Sequence, residues 1–126
     1  MKRVTVINET NATPPRVAFD QIKNESLGDE YALNVIFTTS SRIKHLNTIY
    51  RDKTKATDIL SFPISDDEGE IYICLDEVRN EAKKFDRTYE NFLSFLFIHG
   101  CTHLKGFDHG ATMESEEMKL RERFNI

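Results

Sequence analysis

The 126-residue chain has no tryptophan, two cysteines, three prolines, five glycines, and fewer basic than acidic side chains. Each shortage excludes something. Cys74 and Cys101 are too few to staple a disulfide scaffold and fit reduced thiols. With so little glycine and proline there is no low-complexity or linker stretch, and no internal repeat is found. No apolar run reaches the roughly 20 residues of a membrane span. Val4 to Ile7 is followed at once by Asn8-Glu9, which leaves no core for a signal peptide. The 17 Lys and Arg against 21 Asp and Glu give a net charge of −4. That balance excludes a protein that coats nucleic acid with uniformly positive surface, and it leaves room for a local basic groove. The hydrophobic and charged fractions, 39% and 30%, are ordinary for a globular protein. The expectation is a single cytoplasmic domain over residues 1–126, built on one core.

What is present alternates between strand and helix signals. Val4 to Ile7 reads as a first strand. Thr13-Pro14-Pro15 reads as the entry to a helix that ends at Gly28. Tyr31, Leu33, Val35 and Phe37 alternate along a second strand. Ser40 or Ser41 caps a helix to about Arg51, with Ile43, Leu46, Ile49 and Tyr50 as its buried side. Thr57 to Phe62 forms a strand stopped by Pro63, and Glu70 to Leu75 forms its partner, with Ile71, Ile73 and Leu75 on one face. Asp76 caps a helix striped by Leu75, Val78, Ala82 and Phe85. Thr88 caps the next, whose run Phe92 to Ile98 is apolar nearly all round and therefore central. A last charged helix runs from Thr112 to about Phe124, packing Met113, Leu120 and Phe124 and leaving its acids mostly at the surface. The fold class expected is α+β, a small mixed sheet packed with helices.

The central helix leads into Phe97-Ile98-His99-Gly100-Cys101-Thr102-His103-Leu104-Lys105-Gly106-Phe107-Asp108-His109. His99 and His103 lie one turn apart on one face, about 6 Å along the axis, a span that one metal ion bridges. Gly106 suits the helix end, after which the chain can turn back and bring His109 to the pair. Three imidazoles with a fourth position left over is the layout of a catalytic zinc site. The plain alternative is that histidines at a helix C-terminus act only as cations favourable to the dipole. Metalloproteases with two histidines at this spacing carry a glutamate base after the first; here that residue is Gly100. Cys101 points roughly 200° around the helix from His99 and is assigned to core packing. Upstream, Arg42, Lys44, Arg51, Lys53 and Lys55 stand against the single acid Asp52, the strongest local positive excess in the chain. It reads as a solvated helix face or as a rim that tracks phosphates. His45 lies on it with no ligand partner at a useful spacing.

Three blocks together resemble a known family. His99-Gly100-x-x-His103-Leu104-x-Gly106-Phe107-Asp108-His109 is similar to the signature of the bacterial YbeY family of metal-dependent single-strand endoribonucleases. Asn47-Thr48-Ile49-Tyr50-Arg51 with Ala56-Thr57-Asp58-Ile59-Leu60-Ser61-Phe62-Pro63, and Gly69-Glu70-Ile71-Tyr72-Ile73, resemble its other hallmarks. The likeness spans roughly residues 30 to 120. Thr102 stands where that family usually has leucine, and Glu70 where it usually has aspartate; both read as packing or local hydrogen-bond changes.

The resemblance implies a zincin-like arrangement in which His99, His103 and His109 hold one Zn2+ per chain and act in catalysis. It also makes Arg51 the essential arginine, whose guanidinium fork matches phosphate oxygens, and lets Ser61 face the cleft. Asp108 either orients an imidazole or serves as a turn residue. The ion would lower the pKa of its water to about 7 or act as a Lewis acid on phosphate. The implied partners are single-stranded RNA, the ribosome with its ribosomal RNA, and ribosome-associated assembly proteins, with no membrane and no DNA. The implied role is maturation of ribosomal RNA, including the 16S rRNA 3′ end, and ribosome quality control. A metal-dependent hydrolase of another substrate and a non-catalytic ribosome-assembly factor are the alternatives.

Overall fold

A computed structural model describes residues 2–107 and 110–126 of the chain. Four strands and five helices follow in the order β1 (Thr5–Asn8), α1 (Phe19–Leu27), β2 (Ala32–Thr38), α2 (Ser40–Arg51), β3 (Ile59–Ser65), β4 (Glu68–Cys74), α3 (Leu75–Lys84), α4 (Tyr89–Leu104) and α5 (Ala111–Phe124). The sheet order is β1-β2-β4-β3. β1, β2 and β4 run parallel, and β3 returns antiparallel to β4 through the turn at Asp66-Asp67. The mixed α+β architecture expected from the sequence is what forms.

Alternation along the strands divides the interior in two. Tyr31, Leu33, Val35, Phe37, Ile71 and Ile73 point to one face, where they join Ile22 of α1, Val78 and Ala82 of α3, and Phe92, Leu93, Phe97, Ile98 and Cys101 of α4. The other face holds a small cluster of Ile43, Leu60 and Cys74, flanked by Leu46, Phe62 and Tyr72 and covered by α2. Each fully buried large apolar side chain contributes about 1.5–3 kcal/mol, so the first cluster dominates stability and α4 lies at its centre. Cys101 is fully buried there, and burial pushes its thiol up to about 12. It is a core residue, as its place on the helix implies. Both cysteines are free thiols.

Several boundaries differ from the sequence reading, each for a local reason. α1 starts at Phe19 rather than at the prolines, with no side-chain cap, and Lys23 lies buried and donates to the carbonyls of Gly28 and Asp29 at its end. Thr39, not Ser40 or Ser41, caps α2, accepting from Arg42 N at 3.3 Å. β3 runs on through Pro63 to Ser65, with a register shift between them. It is an edge strand, where a missing N–H costs no ladder bond. Cys74, not Asp76, sits at the N-cap of α3, and Asp76 lies in the first turn, where a carboxylate favours the dipole. Thr88 caps α4 as expected, accepting from Asn91 N at 3.1 Å. Ile49 and Tyr50 are exposed. The buried anchor at this end of α2 is Asn47, which donates to Lys55 O at 2.9 Å and holds the loop that follows. Phe85 is also exposed and stacks on Phe92.

Candidate active site at the end of helix α4

The last turns of α4 carry His99 and His103. Their rings stand edge to face, with centroids 4.6 Å apart and planes at 84°. Both sit on the same face of the helix, as the four-residue spacing requires. Gly100, between them, is buried against the sheet. A β-carbon there would meet Ile71 Cδ1 and Ser61 Oγ at 3.0 Å and Ile59 Cδ1 at 3.1 Å. Position 100 therefore faces the strands, including Ile59 and Ser61, which also line the cleft beside the histidines. A larger side chain there would have to displace the tips of those three side chains.

On the strand side, His99 and His103 open on a cleft of about 230 Å³ with Arg51, Asp58, Ser61 and Leu96 among its walls. Arg51 is the last residue of α2 and is exposed. Asp52 follows in the left-handed conformation, φ 54° and ψ 39°, and turns the chain away. Ser61 reaches the cleft because alternation along β3 directs it towards α4. Asp58 lies just before β3, and burial, with a smaller contribution from Glu81, raises its carboxyl above the usual range. Arg51, Ser61, His99 and His103, drawn from three segments of the sequence, thus share one cavity. Asp58 is an addition: it belongs to a block already noted, but nothing in the sequence gave it a role.

Behind His99 the helix meets α5. Glu117 Oε1 lies 2.5 Å from His99 Nδ1, and the Glu117 side chain is only 11% exposed. Thr102 Oγ1 is 2.8 Å from His99 O and 3.3 Å from Glu117 Oε1, so its single proton is directed to one of the two. Arg121 Nη1 stands 3.6 Å from Glu117 Oε2, and its guanidinium lies over the Phe95 ring at 5.3 Å. Arg87 covers the same ring at 4.4 Å. The acids of α5 were expected mostly at the surface; Glu117 is buried. The signal was present, because Met113, Glu117, Leu120 and Phe124 recur at helical spacing along one stripe. An acid inside an apolar stripe needs a partner. The departure at Thr102 likewise has a local hydrogen-bond meaning.

His109 and Asp108 lie outside the described residues. Among the described residues no group of three or more His, Cys, Asp or Glu side chains is placed to hold a metal ion. The donors that are described do fit one. Two imidazoles share a helix face, and a carboxylate contacts the Nδ1 of the first, the arrangement that orients ligating histidines. Nitrogen donors of this kind suit zinc and its neighbours rather than magnesium or calcium. No helix among the described residues is long and apolar enough to cross a membrane.

The solution structure of TM1509 from Thermotoga maritima is similar over 99% of this chain and 92% of its own length, with a TM-score of 0.60 and 26% identity. The family model described as endoribonuclease YbeY matches residues 4–125. Endoribonuclease YbeY of Thermosipho melanesiensis is 36% identical over 109 residues, 83% of this chain and 79% of that protein. Its namesake from Staphylococcus carnosus is 34% identical over 113 residues, 80% and 74% of the two chains. The chain belongs to the endoribonuclease YbeY family.

Proposed function

We propose that this protein is a single-strand-specific endoribonuclease of the cytoplasm. It works as one domain, holds one zinc ion in a zincin-like arrangement through His99, His103 and His109, and acts in ribosomal RNA maturation and ribosome quality control. The observation that carries this reading is the shared cleft: Arg51 of α2, Asp58 and Ser61 of the β3 region, and both described histidines line one cavity. When bound, the ion supplies Lewis acidity towards a phosphate oxygen or a water molecule. Arg51 holds the scissile or adjacent phosphate with its fork of donors and offsets the charge that develops during cleavage. Ser61 offers a hydroxyl to the same phosphate. Asp58, its carboxyl raised by burial, is placed to exchange a proton with a bound water or a departing oxygen.

The approach to the cleft fits an unpaired strand. Lys44, Lys53 and Lys55 are exposed along α2 and the loop after it. Arg42, on the same segment, is paired with Glu9 at 3.1 Å. Tyr50, beside Arg51, is exposed and packs edge-on against Phe62 at 5.2 Å, leaving an aromatic surface on which a base can stack. Peptide hydrolysis is disfavoured by the packing of Gly100 against the strands.

Arg51→Ala tests the reading. Cleavage of a defined single-stranded RNA is expected to fall about 100-fold, with zinc content and thermal unfolding unchanged. Full retention of cleavage would remove Arg51 from the mechanism. A variant that lost cleavage yet kept ribosome assembly intact in cells would favour the assembly-factor role.

A further inference from the structure

From the contact between α5 and α4 we infer that Glu117 is a positioning residue that fixes the tautomer and orientation of His99, and that Thr102 and Arg121 in turn hold Glu117. The inference rests on the reading of His99 as a metal ligand and extends it to a carboxylate from another helix. A carboxylate accepts and does not donate, so a 2.5 Å contact from Glu117 Oε1 places the proton of a neutral His99 ring on Nδ1. The lone pair is then on Nε2. A histidine side chain in water prefers the opposite tautomer, with its proton on Nε2, so Glu117 reverses an intrinsic preference and makes Nε2 the donor. It also fixes the ring plane, because the acceptor lies at one defined point beside the ring.

Glu117 is itself constrained. Its side chain is buried, the Thr102 hydroxyl lies 3.3 Å from the oxygen that meets His99, and Arg121 lies 3.6 Å from the other. Thr102 is within the same turn of α4 as His99, so the carboxylate is referenced to the helix that bears the histidine. Arg121 sits four residues along α5 and is packed over Phe95. A buried carboxylate held between His99 and Arg121, with the Thr102 hydroxyl beside it, has little freedom to rotate away, and the orientation of His99 is set before any ion arrives. The effect expected on removing such a partner is about a 10–100-fold loss of metal affinity.

The experiment uses the full chain, with zinc alone as probe. Zinc affinity is measured by competition with a chromophoric chelator for wild type, Glu117→Ala, Glu117→Gln and His99→Ala. The imidazole nitrogen shifts of His99 are read by NMR in the metal-free proteins. Wild type should show the proton on Nδ1. Glu117→Ala should show it moved to Nε2 and should bind zinc about 10–100-fold more weakly. Glu117→Gln, which keeps the volume and an accepting carbonyl, should restore the Nδ1 proton and most of the affinity, which a merely structural loss would not do. A wild-type His99 protonated on Nε2 would overturn the inference. So would Glu117→Ala binding zinc as tightly as wild type while His99→Ala does not. If His99→Ala also binds like wild type, the ligand reading falls together with the inference.

Discussion

The two flanks of the last turns of α4 are built on different terms. On the flank facing β3, His99 and His103 share a cleft with Arg51, Asp58 and Ser61, and the groups come from separate segments of the chain. On the flank facing α5, Glu117 and Thr102 are buried, and with Arg121 they form one chain of contacts ending at His99. One flank leaves charged and polar groups facing a cavity, the usual condition of groups that meet a substrate. The other also borders a space of about 310 Å³ beside His99, but there Glu117 meets His99 and Arg121 directly, the condition of groups that hold something still. His99 touches both, so a single ring separates the part that acts from the part that supports it.

The largest effect is expected at Gly100, where α4 meets the strands. Gly100→Glu would press a carboxylate against Ile59, Ile71 and Ser61. An unpaired buried charge of this kind should cost about 3 kcal/mol or more of unfolding free energy, read by urea denaturation, and no peptidase activity should appear. Wild-type stability in this variant would mean that α4 does not lie on the sheet as described.

A gentler change sharpens the contrast. Burial raises the Asp58 carboxyl above its ordinary 3.8. The folded protein therefore binds that proton more tightly than the unfolded chain. Stability is favoured below the unfolded value and lost as pH rises through the higher folded value. Asp58→Asn removes the loss. In metal-free protein it should be more stable than wild type at pH 7, and the advantage should shrink as the pH falls towards 4. An advantage that grew on acidification would have the wrong sign.

Much of this was legible in the sequence, and the exceptions share a cause. The alternation of Tyr31, Leu33, Val35 and Phe37, and the apolar run of α4, describe side chains whose burial depends only on their own element. Those positions are buried as their periodicity requires. Ile49 and Tyr50 follow the same helical stripe yet are exposed, because periodicity cannot register how far a neighbour covers a helix. Pro63 stays in β3 because β3 is an edge, a property of strand order. In the site, the histidine spacing and the arginine block were visible locally. Glu117 was marked by its place in the stripe of Met113, Leu120 and Phe124, but its partner was not, since that depends on which helix α5 faces. The part of the site assigned to His109 lies outside the described residues.

Cleavage of a defined single-stranded RNA is the decisive assay of the proposal that the end of α4 is a metal-dependent site for cutting RNA. Zinc-loaded wild type and identically purified His103→Ala would be assayed side by side, with metal content measured on the same samples. Cleavage by wild type alone is expected, with the bound zinc lost from His103→Ala. Equal cleavage by both proteins, or one tightly bound zinc per chain retained in His103→Ala, would contradict it.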